Sequence, residues 1–245
     1  MGLAPDWAPQ YRVDMTTIVL IPGAGGDSWY WHWVIPLLEA RGFDVIAPDL
    51  PAADESATFD DYADAVVSAI GSRRDDDLVV VAQSLGGFTG VMVSERLPVR
   101  MLIFVSAMIP AFGESAGEWW SSTGQGEATA RYAVSGGRDP SAPFDVDEIF
   151  FHDVAADVKA ATFARGETPQ SEGIFSSRWQ ATRWPAAEVR VIAGRNDRLF
   201  PLDFMQKISR DRLGIEPVVI DAGHLSALSA PDALATLIDE FTHSA

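Results

Sequence analysis

Cysteine is absent from this chain of 245 residues, and basic residues are scarce. Without cysteine there is no disulfide framework, no thiolate nucleophile and no thiolate-bound metal. Eighteen lysines and arginines stand against 35 aspartates and glutamates, so the formal net charge at pH 7 is −17. Because phosphate backbones and anionic lipids repel such a chain, we expect neither nucleic acid nor a membrane as a partner.

Long apolar runs are absent too. No stretch of about 18 apolar residues occurs, so no membrane-spanning helix is expected. The N-terminus lacks the basic-then-apolar pattern of a secretory signal, so we expect a cytoplasmic location. Residues 1–14 fit either a loose extension or an upstream start. Neither H-E-x-x-H nor a dense cluster of histidines and carboxylates occurs, and we expect no metal and no cofactor.

The residues that are present suit a globular protein with a sizeable core, with 47% apolar and 22% charged residues. Apolar runs predict strands near residues 16–21, 43–47, 78–83, 101–106, 189–193 and 216–220. Helical patterns between them lie near residues 29–40, 59–72, 86–96, 202–211 and 231–242. This alternation predicts an α/β fold with a mostly parallel central sheet and helices on both faces.

One long segment interrupts the alternation of strands and helices. Residues 107–183 are too many for a single crossover between neighbouring strands. We therefore predict a core made of residues 1–106 and 184–245, with a mainly helical cap inserted at residues 107–183.

Ser84 has the clearest chemical signature in the sequence. It lies in residues 78–87, LVVVAQSLGG, where a buried strand ends at a serine and two glycines before a helical stretch. This is the layout of a nucleophile elbow, whose strained turn needs small residues two positions before and after the serine. Ala82 and Gly86 are small, although glycine is usual at the first position. The alternative is a serine at an ordinary strand-to-helix turn.

A glycine-rich bend, residues 22–26 (PGAGG), follows the first predicted strand. The backbone N–H groups of Ala24 and Leu85 could point at one spot beside the serine and form an oxyanion hole. A Walker loop is excluded because no Gly-Lys-Ser/Thr follows. A dinucleotide site with Asp49 as the ribose-binding acid is disfavoured, because Ser28 and then bulky aromatic residues follow the glycines.

Four histidines are candidates for the base that would activate Ser84. His224 follows the last predicted strand in a loop, from which it can reach a serine on a central strand. His32 lies in an aromatic run and His243 in the C-terminal tail. His152 lies in the middle region, where a surface or cap role is the simpler explanation. His224 is therefore the predicted base, with His152 as the second candidate.

The third residue of such a site is a carboxylate that orients the histidine. Asp197 follows the predicted strand at residues 189–193 and comes between the serine and the histidine in chain order. Asp221 is its main local competitor, while Asp203 and Asp211 fall on a predicted helix. We predict that Asp197 is the acid; the alternative is an aspartate that serves an ordinary turn.

Together these stretches resemble the α/β-hydrolase superfamily. Within it, the chain is similar to the group that holds plant methyl-salicylate-type esterases, α-hydroxynitrile lyases and their bacterial relatives. The matching stretches are residues 21–26, 29–33, 36–39, 47–50, 59–62, 84–87, 196–200 and 223–224. The resemblance implies a serine esterase that cleaves a carboxylic ester of a small apolar or aryl substrate, with Ser84, His224 and Asp197 as its triad.

Three positions depart from the pattern of that group. Pro22 stands where these relatives usually carry histidine, but the backbone donor of Ala24 should survive this change. The lyases of the group place a threonine in the oxyanion loop and a lysine just after the catalytic histidine, where this chain has Gly23 and Leu225. Because a lysine ammonium would steady a departing cyanide, its absence favours ester hydrolysis over cyanohydrin cleavage.

The predicted cap is expected to roof an apolar acyl or aryl pocket and to exclude water. Trp119, Trp120, Gly23 and Leu225 are the predicted pocket residues; for each tryptophan, plain packing is the simpler alternative. The expected partner is a small-molecule ester, and a homodimer is compatible with the sequence. Other functions stay open because one fold serves many reactions: a hydroxynitrile lyase, a cofactor-free haloperoxidase, a C–C hydrolase, or a ligand receptor with vestigial hydrolysis.

Overall fold

The computed structural model of the protein describes residues 15–75, 77–166, 168–181 and 183–244. The expectation for residues 1–14 lies outside the described residues. Six parallel strands form a sheet in the order β2-β1-β3-β4-β5-β6. They are β1 Thr16–Ile21, β2 Asp44–Ile46, β3 Asp77–Gln83, β4 Val99–Val105, β5 Glu188–Gly194 and β6 Val218–Ile220. The fold class predicted from the sequence is confirmed.

Ten α-helices occur in the described part of the chain. They are α1 Val34–Glu39, α2 Phe59–Ile70, α3 Gly86–Arg96, α4 Ala116–Thr123, α5 Gln125–Ser135, α6 Val146–Phe150, α7 Ala156–Ala164, α8 Leu202–Leu213, α9 Ser226–Ser229 and α10 Pro231–His243. Short 3₁₀ turns span Ser28–Trp31, Gly71–Asp75 and Gly173–Ser176. None of the helices within these described ranges is long and apolar enough to cross a membrane.

The helix predicted at residues 29–40 is broken in the structure. A 3₁₀ turn at Ser28–Trp31 comes first, with the Asp27 side chain accepting from Trp29 N, and α1 begins only at Val34. Pro36 has no N–H to donate to the carbonyl four residues earlier, so it is compatible only with the first turn of a helix. Its position in the first turn of α1 therefore explains the break.

Alternate residues of the strands point to opposite faces of the sheet, and each face has its own apolar core. One core includes Val19, Val80 and Phe104 with side chains of α2, α3 and α8. The other includes Leu20, Val81 and Ile103 with side chains of α1 and α10. Because both faces are buried, the strands are continuous apolar runs in the sequence.

Helices α4–α7 all lie between β4 and β5, within residues 107–183, which we call the inserted segment. An ion pair joins this segment to α8, with Arg212 Nη2 lying 2.8 Å from Glu114 Oε1. The predicted domain boundaries, with residues 107–183 as a separate cap, stay a prediction.

Candidate active site

Ser84 lies in the turn between β3 and α3 with a backbone φ of 50°, a conformation that side-chain-bearing residues rarely adopt. Its N–H donates to the carbonyl of Val105 at 3.3 Å. Its own carbonyl accepts from the N–H of Gly87 at 3.1 Å and of Met108 at 2.9 Å. These three bonds stabilise the strained backbone and leave the side chain at the carboxyl end of the sheet.

Close packing explains the small residues on each side of Ser84. A Cβ at Gly86 would lie 2.5 Å from the carbonyl oxygen of Pro22, closer than any side chain permits. Ala82 stands where glycine is usual, and helix α3 provides the space for its methyl group. A Cβ at Gly90 of that helix would lie 2.9 Å from the Ala82 Cβ. The alanine before the serine is therefore compensated by a glycine in the following helix.

Three predicted side chains form a continuous hydrogen-bonded chain. Ser84 Oγ lies 3.0 Å from His224 Nε2, and His224 Nδ1 lies 2.9 Å from Asp197 Oδ2. Asp197 is fully buried, and its Oδ1 accepts the N–H groups of Leu199 and Phe200 at 2.8 Å each. With both aspartate oxygens accepting, the matching imidazole tautomer carries its proton on Nδ1. Nε2 is then free to accept the proton of the serine hydroxyl.

The imidazole of His224 is also fixed by aromatic packing. The ring of Phe200 lies nearly perpendicular to it at a centroid distance of 5.0 Å, and the ring of Phe150 lies tilted to it at 5.4 Å. Phe150 belongs to α6 of the inserted segment. These two rings limit rotation of the imidazole and exclude water from it.

The loop that carries His224 is held by three polar contacts. Asn196 N donates to the carbonyl of Ala222 at 3.0 Å, and Gln83 Nε2 lies 3.4 Å from the carbonyl of His224. From the inserted segment, the Asp153 carboxylate accepts the N–H of Gly223. The position of the histidine therefore depends on both the core and the inserted segment.

The competing carboxylates lie elsewhere. Asp221 has a side chain that is 80% exposed and pairs with Arg195 at 2.6 Å. Asp203 and Asp211 lie on α8, as predicted. Asp49, the ribose acid of the dinucleotide alternative, accepts the N–H of Ser28 at 2.9 Å. In the described part of the chain, none of these four forms a hydrogen bond or an ion pair with His224, whose ionic partner is Asp197.

The other histidines do not reach Ser84. His32 stacks on Trp29 at a centroid distance of 3.9 Å, and His243 bonds to the backbone of the C-terminal helix. His152 lies against the loop that carries His224, where a Cβ at Gly223 would come within 2.9 Å of the His152 Cε1. His152 therefore contacts the backbone next to His224.

Ala24 and Leu85 line the same cavity as Ser84. Ala24 lies in a turn closed by a bond from Gly26 N to the carbonyl of Gly23 at 3.1 Å, and Leu85 directly precedes α3. Within the part of the chain that the structure describes, neither N–H donates to another residue. Both donors, with the positive end of the α3 dipole, are therefore available to a developing negative charge.

Gly23 is a glycine for steric reasons. A Cβ there would lie 2.3 Å from Gln83 Oε1 and 2.8 Å from the Cβ of Ser84. A threonine at this position, as in the lyases, would not fit unless Gln83 moved. Leu225, at the position of the lyase lysine, places an apolar side chain on the wall of the cavity.

A cavity of about 1150 Å³ opens onto Ser84 between the core and the inserted segment. Its wall is mostly apolar, and the segment contributes Trp120, Phe144, Phe150, Phe151 and Phe175. The two arginines that line the cavity have acidic partners: Arg165 lies 3.0 Å from Asp27, and Arg138 lies 3.9 Å from Glu148. In the described ranges, no group of three or more histidine, aspartate or glutamate side chains could hold a metal ion.

The prediction that Trp119 lines the pocket is wrong. Its side chain is fully buried, its Nε1 donates to the carbonyl of Ile109 at 3.0 Å, and its ring packs against Phe200 and Phe204. Trp120 does line the cavity. Consecutive residues of an α-helix point about 100° apart, so one of two adjacent tryptophans faces the core and the other faces the cavity.

Sequence reasoning missed Gln170 and Tyr30, which also line the cavity. Tyr30 directly follows Trp29 in the aromatic run, and its hydroxyl accepts the N–H of Ala227 at 3.3 Å. Burial raises the pKa of Tyr30, so the phenol stays neutral. No motif surrounds Gln170, and nothing in the sequence alone pointed to it.

Comparison with known proteins gives the same family. The sequence profile of the alpha/beta hydrolase family matches residues 18–237. Methylesterase 3 of Arabidopsis thaliana is 33% identical over 114 residues, which cover 42% of this chain and 43% of that protein. Polyneuridine aldehyde esterase of Rauvolfia serpentina is 34% identical over 102 residues, covering 38% and 39%. The matched part thus spans about two fifths of these curated relatives.

Solved structures share the fold over nearly the whole chain. Polyneuridine aldehyde esterase superposes with a TM-score of 0.74 at 20% identity, covering 93% of this chain and 99% of that one. A pyrethroid hydrolase from Sphingobium faniae superposes with a TM-score of 0.70 at 22% identity, covering 93% and 97%. With the profile match over most of its length, the chain belongs to the α/β-hydrolase family.

Proposed function

We propose that this protein is a serine esterase that hydrolyses neutral carboxylic esters with an apolar or aryl group. The observation that carries the proposal is the hydrogen-bonded chain of Ser84, His224 and Asp197 at an apolar cavity. Relatives named methylesterase and polyneuridine aldehyde esterase, similar over part of their length, support an ester as the substrate.

In the proposed reaction, Ser84 Oγ attacks the ester carbonyl carbon while His224 Nε2 takes the hydroxyl proton. The carbonyl electron pair moves to the oxygen, and the resulting oxyanion binds to the N–H groups of Ala24 and Leu85. As the tetrahedral intermediate collapses, His224 gives its proton to the departing alkoxide and an acyl-enzyme remains. Water, deprotonated by His224, then attacks the acyl carbon; the acid is released as His224 returns the proton to Ser84 Oγ. Asp197 stabilises the imidazolium in both steps.

The volume and the lining residues of the cavity indicate the size and charge of the substrate. Pockets that take drug-sized ligands measure about 300–1,000 Å³, and this cavity has about 1150 Å³. It thus has room for an ester larger than the small substrate expected from the sequence. Because Arg138 and Arg165 have acidic partners, a negatively charged acyl group would lack an unpaired counter-ion there. We therefore propose that residues 107–183 act as a cap that binds neutral, bulky esters.

The lyase alternative is disfavoured by two features of the site. Gln83 and Ser84 occupy the space that a threonine at Gly23 would need, and Leu225 offers no ammonium group to a departing cyanide. The complete Ser84–His224–Asp197 chain favours a hydrolase that turns over, whereas a ligand receptor would use the same residues slowly or not at all.

The test compares the wild-type protein with Ser84→Ala on p-nitrophenyl esters and on mandelonitrile. We expect continued turnover of the esters by the wild type, a fall in kcat of about 10⁶ in the variant and negligible cyanide release. A fluorophosphonate should label one serine only. An active Ser84→Ala variant contradicts the assignment of the nucleophile. A burst that stops near one equivalent of nitrophenol indicates a receptor, and cyanide release at the ester rate indicates a lyase.

A further inference from the structure

The loop that carries the Ala24 N–H is closed by a hydrogen bond from Gly26 N to the carbonyl of Gly23, but the loop is otherwise rich in glycine. It contains glycine at positions 23, 25 and 26, and Gly25 and Gly26 have φ values of +86° and +63°. Glycine has the largest conformational freedom of any residue, and these three offer no side chain to pack. The orientation of the loop peptides therefore depends on contacts from other parts of the chain.

Contacts from the core hold both ends of the loop, and at the first end Gly23 packs against Gln83 and Ser84. The carbonyl of Gly26 accepts the N–H of Leu50 at 2.9 Å, and a Cβ at Gly26 would collide with Leu50 and Ala52. This contact fixes the end of the loop that leads into the 3₁₀ turn.

A further contact comes from the inserted segment. The N–H of Gly25 donates to Gln170 Oε1 at 2.9 Å. A Cβ at Gly25 would lie 2.4 Å from Thr168 Oγ1, so this part of the segment rests directly on the loop. The peptide that joins Ala24 to Gly25 is adjacent to the peptide that carries the Ala24 N–H. Holding the Gly25 N–H on Gln170 Oε1 therefore restricts the direction in which the Ala24 N–H points.

Gln170 is itself oriented by two acceptors. Its Nε2 donates to the hydroxyl of Tyr62 at 3.1 Å and lies 3.3 Å from the carbonyl of Ser171. The N–H of Ser171 donates to the carbonyl of Ala52 at 2.7 Å, which ties the segment to the core. With Nε2 bound on that side, Oε1 of the same amide must face the Gly25 N–H. The side chain thus bridges the buried Tyr62 of α2 and the loop.

We propose that Gln170 is a positioning residue of the oxyanion hole: by accepting the Gly25 N–H it directs the Ala24 N–H toward the substrate oxygen. The inference rests on the proposed esterase function. The chemical step therefore depends on a residue of the inserted segment, even for an ester too small to touch most of the cavity wall.

The test uses Gln170→Met, which keeps the length of the side chain but loses the acceptor, and Gln170→Ala, which loses both. The assays measure kcat and KM for p-nitrophenyl acetate, together with the melting temperature. A second readout is the affinity for an aryl trifluoromethyl ketone. Ser84 Oγ adds to its carbonyl carbon, the π pair becomes an oxyanion, and His224 takes the proton. The matching methyl ketone binds without this addition and serves as the control ligand.

We expect both variants to lower kcat about tenfold, less than the 10²–10³ that loss of a whole oxyanion-hole donor costs. KM and the methyl ketone affinity should stay within about twofold, because ground-state binding does not use the oxyanion. The affinity for the trifluoromethyl ketone should fall by the same factor as kcat. A Gln170→Met variant with wild-type kcat overturns the inference, even if the Gln170→Ala variant is unstable. It would indicate that the Gln170 side chain only packs against its neighbours. If wild-type hydrolysis does not require Ser84, the proposed function fails and the inference fails with it.

Discussion

Replacing Asp197 by asparagine tests the assignment of the acid with almost no change of shape. In the structure, Asp197 Oδ1 accepts two backbone N–H groups and Oδ2 accepts His224 Nδ1. The asparagine oxygen would keep the two backbone bonds, so its NH₂ group would face the imidazole. Nδ1 would then have to accept, which moves the imidazole proton to Nε2. An Nε2–H cannot take the proton of Ser84.

The expected loss follows from this change of tautomer. In serine proteases, the same substitution lowers kcat by about 10⁴, which corresponds to about 5 kcal/mol in the activation barrier. Asp221→Asn is the matched control. It makes the same chemical change at a side chain that is 80% exposed and paired with Arg195 at the surface, and kcat should change less than about threefold, as for other surface substitutions.

The assay is steady-state hydrolysis of p-nitrophenyl acetate by both variants, with circular dichroism and melting temperature as folding controls. The reasoning is refuted if folded Asp197→Asn keeps more than about a tenth of wild-type kcat, where about 10⁻⁴ is expected. A reversed order, with Asp221→Asn the slower variant, would identify Asp221 as the acid.

Two further predictions concern the inserted segment. Trp120→Ala should alter KM and ester preference, because this ring lines the cavity. Trp119→Ala should lower the free energy of unfolding by about 3–5 kcal/mol, because its ring is buried. Ester kinetics and urea melts separate the two effects, and the opposite pattern would contradict the placement of Trp120 on the cavity wall and Trp119 in the core. Burial lowers the pKa of His152, an effect that Asp153 opposes and Arg198 reinforces. The unfolded state therefore binds the proton more readily, so the free energy of unfolding should fall as the pH drops below about 6.5. His152→Gln should reduce this fall in urea melts at pH 8 and pH 5, and an unchanged fall would contradict the shift.

The sheet could be predicted from the sequence because its strands are buried on both faces and form apolar runs. Two of the differences in element bounds arise where proline removes a donor. Strand β6 begins at Val218 rather than at residue 216, since Pro217 cannot donate to a neighbouring strand. Pro36 restricts α1 in the same way. These are local effects, and the sequence contains the signal for both.

The proposed catalytic side chains could be predicted because each follows a strand of a parallel sheet, where the carboxyl ends of the strands meet at one edge. The residues that form the wall of the cavity could not be predicted in this way. Trp119 and Trp120 differ only in the direction they face from α4, which depends on the packing of that helix against Phe200 and Phe204. Gln170 is 145 residues from the Gly25 that it contacts, and no local pattern can report such a distance.

The polar contacts of the inserted segment imply that pocket shape and chemistry are coupled in this protein. Asp153 holds the loop of His224, and Gln170 holds the loop of Ala24. The same segment supplies the aromatic wall that an ester would meet. A change that moves this segment to admit a different ester would therefore also displace the proposed base and an oxyanion donor. Because about 1 Å of misplacement can cost about 100-fold in rate, substitutions in the cavity wall should be tolerated only where they leave these two hydrogen bonds in place.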